Sequence, residues 1–290
     1  MDAVRLRSWG LYKRTPECAK DPLVKTIYNA PNNITLKPKA VAFDLDETLG
    51  SFADLYELWV TLEPHAKTQF TFNQLLDLYP EFLRVDILSI LGFIRTKIES
   101  GQCLPIYIYT NNQCEDMNWV EHIIIYLELR SPGSPIKIFA MPICAYKINN
   151  RRVEPNRATH HKTYQDFVKC SMFTHTDLCF VDDQWHPKMK HRRVYYIQPP
   201  PYFHGMSRKE IVNRFLQSST SKMCNPYLVS RLNTLDFEEF CQTPSGKIKQ
   251  DREISQKMMY YIREFFFVSL RRCSTKKRRT FIGGFTRKKR

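Results

Sequence analysis

Two short apolar runs, each shut off by a pair of aspartates, limit the folds open to this chain of 290 residues. The first lies in K-A-V-A-F-D-L-D-E-T-L-G-S at residues 39–51, the second in D-L-C-F-V-D-D at residues 177–183. Four mostly apolar residues bounded by polar ones read as a buried strand. In an open parallel sheet, ligands gather beyond the carboxyl ends of the strands. Asp44, Asp46, Asp182 and Asp183 would sit at such ends. Alternation along a strand would turn the Asp44 and Asp46 carboxylates to one side and Leu45 to the other. Carboxylates that close repel unless a cation or a shared proton separates them. A lone D-x-D is more often a solvated strand end or a helix cap; here there are two acid pairs.

Between them the pattern alternates. Residues 82–98 read as an amphipathic helix with Leu83, Ile87, Ile90, Leu91 and Ile94 on one face, stopped by Ser100-Gly101. L-P-I-Y-I-Y-T at residues 104–110 is a strand-like run ending in Thr110-Asn111-Asn112. A helix is expected over 116–130, then a strand over 136–144. Residues 145–159 form a basic connection with Asn149-Asn150, Arg151, Arg152 and Arg157, read as a substrate-side basic patch or a two-stranded ribbon. Lys162 precedes a short helix ending at Cys170; Lys147 and Lys169 are its rivals for any role beside an anion. His160 and His161 lack a third ligand for a metal and read as surface residues. A last strand covers 194–197 and is stopped by three prolines; Tyr202, Phe203 and His204 then line a rim or pack inward. A covering helix follows over 207–216. Strand-like and helix-like stretches thus alternate along this part of the chain.

Residues 51–80 stand apart from that alternation. Leu55, Leu58, Trp59 and Leu62 share a helical face, and Leu75, Leu76 and Tyr79 form a shorter one. The segment is a flap over the site or a piece of the domain flank. Residues 1–38, with four prolines, read as an irregular lead-in. A helical extension spans 218–272 and a basic, flexible tail 273–290.

Composition narrows the function classes. Hydrophobic residues make up 43%, enough for a large core. Of a net charge of +15, ten Lys/Arg with no acid fall in residues 271–290. The basic balance belongs mainly to the tail, a segment suited to nucleic acid, nuclear import or plain solubility. Nine scattered cysteines show no zinc spacing and no disulfide framework, which predicts reduced thiols inside a cell, in nucleus or cytoplasm. The first residues lack the apolar core of a signal peptide, and no stretch is long and apolar enough to span a bilayer; no membrane partner is expected.

D-L-D-E-T-L after a hydrophobic strand resembles motif one of the haloacid-dehalogenase (HAD) superfamily of phosphohydrolases. Glu47 makes it similar to the FCP/SCP branch, the phosphatases of the RNA polymerase II C-terminal domain; many other branches carry Gly there. Candidates for the other motifs follow in order: Thr110 closing a strand, Lys162 before a helix, and Asp182-Asp183 closing another strand. T-N-N departs from the T-A-S usual in FCP/SCP members and is closer to the T-N of polynucleotide phosphatases. D-D-Q-W-H-P departs from D-D-S-P. The chain also looks similar to HAD-like proteins of large DNA viruses, whose setting would be the host cytoplasm.

The resemblance covers residues 39–217 and implies an α/β, Rossmann-like fold with a mostly parallel central sheet, helices on both faces and a small helical insert after motif one. It implies a phosphomonoester hydrolase dependent on Mg2+. Asp44 would be the nucleophile and Asp46 the general acid and base, with the pKa of Asp46 raised above that of Asp44. Thr110, Asn111 and Lys162 would hold phosphate. The metal would sit on Asp44, Asp183 and the Asp46 carbonyl, with Asp182 acting through water. The substrate implied is a phosphorylated protein; a polynucleotide 3′-phosphatase and a non-catalytic binding module are the other readings.

Overall fold

The fold, seen in a computed structural model, is described for residues 25–28, 39–66, 70–114, 118–174, 176–218, 226–235 and 244–281. Its first half runs β1 (Lys25–Tyr28), β2 (Ala40–Phe43), α1 (Ala53–Ala66), α2 (Phe72–Leu78), α3 (Ile87–Glu99), β3 (Tyr107–Ile108) and α4 (Trp119–Arg130). The second half runs β4 (Lys147–Ile148), β5 (Arg151–Arg152), α5 (Tyr164–Ser171), β6 (Leu178–Val181), β7 (Val194–Gln198), α6 (Arg208–Gln217), α7 (Pro226–Leu232) and α8 (Pro244–Phe281).

The chain is a mixed α/β protein built on a sheet of order β1-β7-β6-β2-β3. β7, β6, β2 and β3 are parallel, and β1 joins antiparallel at the edge against β7. β1 corrects the expectation of an irregular lead-in, whose other residues, 1–24 and 29–38, lie outside the described residues. Beyond β3, residues 138–143 extend the sheet through Ile106 N–H to Ile138 O (2.7 Å), Ile143 N–H to Ile108 O (2.8 Å) and Thr110 N–H to Ile143 O (3.0 Å). The unbroken strand expected over 136–144 is interrupted at Met141-Pro142, where Pro142 has no N–H to give and Met141 is exposed.

The chain therefore starts at β2, moves outward through β3 to residues 138–143, then returns to the other side of β2 with β6 and β7. The direction reverses between β2 and β6. At such a switch point the loops leaving the two strands part and open a crevice. Asp44 follows β2, and Asp182-Asp183 follow β6.

Alternate residues of each strand feed two cores. Val41, Phe43, Ile106, Ile108, Cys179, Val181, Tyr195 and Ile197 face one apolar cluster. Ala40, Ala42, Tyr107, Tyr109, Leu178, Phe180, Val194 and Tyr196 face the other. The second face takes Phe167 of α5; the first takes side chains from every other helix. Helices thus cover both faces, unequally.

The 51–80 segment belongs to the first core. Leu55, Leu58, Leu62, Leu75, Leu76 and Tyr79 are fully buried in it. Trp59 meets Phe72 edge-on at 5.3 Å, and Phe72 meets Trp119 at 5.6 Å. α2 starts on a capping box in which Thr71 and Gln74 bond each other's backbone N–H. The segment is domain flank, and the flap reading falls.

The helix expected over 82–98 begins later, at Ile87, because residues 80–86 form a 3-10 turn and a bridge from Leu83 to Gly50. At its other end Gly101 takes the left-handed conformation (φ 68°) that closes a helix. The α4 start expected at Asp116 lies outside the described residues, as does the linker 219–225.

α8 departs furthest from expectation. It is helical to Phe281, past the limit of 272 drawn from sequence; residues 282–290 lie outside the described residues. Its Ile254, Met258, Ile262, Phe265 and Phe266 are buried in the first core. Lys39, just before β2, donates to Phe265 O, with its ammonium 4.3 Å from the Phe265 ring. A boundary at residue 217 therefore cuts through the core. No described helix is long and apolar enough to cross a membrane.

Candidate active site

β2 ends at Phe43, and a cross-strand bond from Asp44 N–H to Val181 O (2.9 Å) fixes Asp44 against the end of β6. Asp182 N–H in turn donates to Ile197 O (3.1 Å). Carboxylate oxygens of Asp44, Asp182 and Asp183 lie within 4.8 Å of one another, all three residues buried. Lys162 reaches the same point from the turn before α5, its Nζ 2.6 Å from Asp44 Oδ1 and 2.7 Å from Asp182 Oδ2. Its place follows from the N-cap one residue on, where Thr163 Oγ1 accepts from Asp166 N–H (2.9 Å) and starts α5. The rival lysines are elsewhere: Lys147 is in the β4–β5 ribbon and Lys169 is exposed.

Asp46 is not in that cluster. The strand has ended, so alternation no longer governs, and its carboxylate accepts from the Asn112 side-chain amide on the β3 side. Three acids converge where four were expected, and the fourth is held separately. Thr110 is buried at the end of the β3 segment, its Oγ1 accepting from Asn112 N–H (3.0 Å). Asn111 is exposed, and its side-chain oxygen accepts from Arg157 (2.8 Å). The contact with a site acid falls to Asn112.

Charge separates the acids. Burial raises Asp44 to about 6, against the opposing pull of Lys162. Burial together with the Asp44 and Glu47 charges raises Asp46 to about 7, against the pull of Lys162 and Asn112. Burial and the charges of Asp44 and Asp182 lift Asp183 to about 8. Asp182 is the exception: burial opposes its ionisation, but Lys162 and His186 outweigh it and hold the carboxyl below its usual range. Burial also opposes the charge on Lys162, and Asp182 and Asp44 overcome it, so the ammonium is held charged.

The donor set fits a hard divalent cation, which takes oxygen ligands. Both Asp182 oxygens are engaged, Oδ2 by Lys162 and His186 (3.1 Å) and Oδ1 by Gln184 N–H (2.8 Å). Asp183 Oδ2, by contrast, is buried and meets no hydrogen-bond donor among the described residues. A buried carboxylate oxygen without a donor is costly unless a cation or proton fills its place.

Several braces went unread in the sequence. Thr48 Oγ1 donates to Asp183 Oδ1 (3.1 Å) and accepts from Asp183 N–H (3.0 Å), tying the two acid loops together. Arg84, buried, donates to Thr48 O (2.6 Å), Glu47 O (2.6 Å) and Pro200 O (2.8 Å). Arg157, also buried, donates to Thr110 O (2.9 Å), Cys144 O (2.6 Å) and His160 O (3.1 Å). Arg157 is thus no part of an exposed basic patch; the neighbouring residues form the ribbon of β4 and β5. The loop holding Tyr202 and His204 packs inward: Tyr202 N–H donates to Glu47 O (2.9 Å), and His204 pairs with Asp54 (2.8 Å). Glu47 itself is left-handed (φ 57°), a conformation costing a non-glycine residue about 1–2 kcal/mol. A glycine would take that conformation without the cost. His160 and His161 are exposed, as expected.

One expectation about cysteine is corrected here. Cys114 and Cys144 are joined by a disulfide, while Cys103, Cys170 and Cys179 are free. A half-exposed pair on the turn beside the site had no spacing signal to reveal it. No protein-family model matches the chain, and neither a curated protein nor a solved structure matches it.

Proposed function

We propose that the chain is a magnesium-dependent phosphomonoester hydrolase with the Rossmann-like HAD fold. The observation that carries the reading is the Lys162 ammonium shared by Asp44 and Asp182 beside Asp183, at the switch point of a parallel sheet. A phosphate with nearly two negative charges cannot approach several carboxylates without compensating positive charge. Lys162 gives one such charge; Mg2+ on Asp44, Asp183 and the Asp46 carbonyl would give the other and polarise the phosphoryl oxygens.

The chain's own groups then divide the work. Asp44, with the lower pKa of the motif-one pair, attacks phosphorus and forms an aspartyl-phosphate. Asp46, raised to about 7, still holds a proton near neutrality. It gives that proton to the leaving alkoxide and later takes one from the attacking water. Asn112 keeps the Asp46 carboxyl off the acid cluster. Thr110 and Lys162 hold the transferred phosphoryl group. Thr48 and Arg84 keep the motif-one turn in register with Asp183.

The substrate class drawn from the motif-one resemblance is a phosphoserine or phosphothreonine protein. The first test is turnover of an aryl phosphate with and without Mg2+. Asp44→Asn should lower it by about three orders of magnitude or more while the far-UV circular dichroism is unchanged. Undiminished turnover in that variant removes the nucleophile. A phosphopeptide set beside a 3′-phosphorylated oligonucleotide then decides the substrate, and preference for the oligonucleotide replaces the protein-phosphatase reading.

A further inference from the structure

The turn that holds Asp46 is fastened by a bond that redox chemistry can open. Cys114 lies two residues after Asn112 in the chain. Cys144, with Cα 5.8 Å from that of Cys114, lies next to Ala145, whose N–H donates to Asn112 O (3.0 Å). The Cys144 carbonyl shares Arg157 with Thr110 O. The disulfide therefore ties together the two backbone segments that frame Thr110 and Asn112.

Both sulfur-bearing residues are half-buried, within reach of a small thiol. Among the described residues, the free cysteines are poorer targets. Cys103 and Cys179 are buried, and burial pushes the Cys103 thiol up to about 12. Burial and the nearby Glu154 do the same to Cys170. A thiol kept protonated exchanges slowly.

We propose that Cys114–Cys144 is a redox latch on this site: bonded, it holds the Asn112 amide against Asp46, and reduced, it frees the turn and slows turnover. Its catalytic consequence rests on the phosphohydrolase reading; the latch itself does not. In closing, the Cys114 thiolate attacks one sulfur of a disulfide oxidant such as oxidised glutathione, and one thiol leaves. Cys144 then attacks the Cys114 sulfur and releases the second thiol. The protein gives up two electrons, and its two thiol protons end on the two released thiols. Reduction by a dithiol runs the sequence backwards.

The experiment uses the full chain after treatment with oxidised glutathione or with dithiothreitol. Alkylation and peptide mapping should find Cys114 and Cys144 blocked only after oxidation. If both alkylate fully in each state, there is no latch. Hydrogen exchange should show the Asn112 and Ala145 amides exchanging about tenfold or more faster once reduced. Equal protection in the two states overturns the proposal whatever the enzyme does. With an aryl phosphate and Mg2+, reduction should lower kcat about tenfold, reversibly. Cys114→Ser and Cys144→Ser should stay at the lower rate and ignore dithiothreitol, while Cys170→Ser keeps the full response. A Cys114→Ser variant that still responds to dithiothreitol also overturns it. No turnover in either state would count against the phosphohydrolase reading, and exchange would still decide the latch.

Discussion

Asp44 and Asp46 are two residues apart, yet the fold gives them different neighbours and so different chemistry. Asp44 meets Lys162, and Asp46 meets Asn112. On the proposed mechanism, the proton on Asp46 matters most where the leaving group is a poor one. Asp46→Asn should therefore slow a seryl phosphate by about 10²–10⁴-fold and a nitrophenyl phosphate far less, as steady-state rates on the two would show. Equal losses on both would mean that Asp46 is no general acid. The places of Asp44, Thr110, Asp182 and Asp183 could be read because each closes an apolar strand, and Lys162 was singled out from its rivals by motif order and the helix it precedes. Asn112, Thr48, Arg84 and Arg157 were not. Each makes a hydrogen bond to a partner between 36 and 135 residues away, and no local pattern encodes such a partner.

At the scale of elements, β2, β6, β7 and α6 fall within a residue or two of where hydrophobic pattern places them. The errors share one cause, which is tertiary packing. β1 is a strand because β7 offers an edge; alone, its four residues carry no signal against a run of prolines. α1 and α2 looked like an appendage because they interrupt the strand–helix alternation, and they turned out to fill the first core. α8 was expected as part of a helical extension, but the basic residues in its last turns hid its length. Phe265 of α8 is buried beside Tyr195, ring to ring at 5.8 Å. Phe265→Ala should cost about 3–5 kcal/mol in urea unfolding. A free extension would show no change.

For the molecule as a whole, the buried acids make stability depend on pH and, if they form the proposed cation site, on metal. Asp44, Asp46 and Asp183 are raised from 3.8 to about 6, 7 and 8. Between those limits the folded chain keeps protons that the unfolded chain has released, so stability falls as pH rises from about 4 to about 8. Asp182, held low, has given its full stabilisation above the usual carboxylate range. Lys162, held high, keeps its own until the solution is strongly alkaline. Metal-free protein should melt at a lower temperature at about pH 8.5 than at about pH 5.5. Mg2+ should raise the melting temperature more at the higher pH, where the acids are ready to bind it. A melting temperature that rises with pH in the presence of a chelator, or ignores Mg2+ at both values, would count against the acid cluster as a cation site.

The contact between Lys39 and the far end of α8 has a consequence for synthesis. The sheet's heavily covered face is complete only when Phe265 and Phe266 have left the ribosome, long after β2 and β6 are made. A nascent chain that stops short of them carries bare aliphatic and aromatic surface along its central strands. Such a chain invites chaperone binding or aggregation, and folding here must wait for α8.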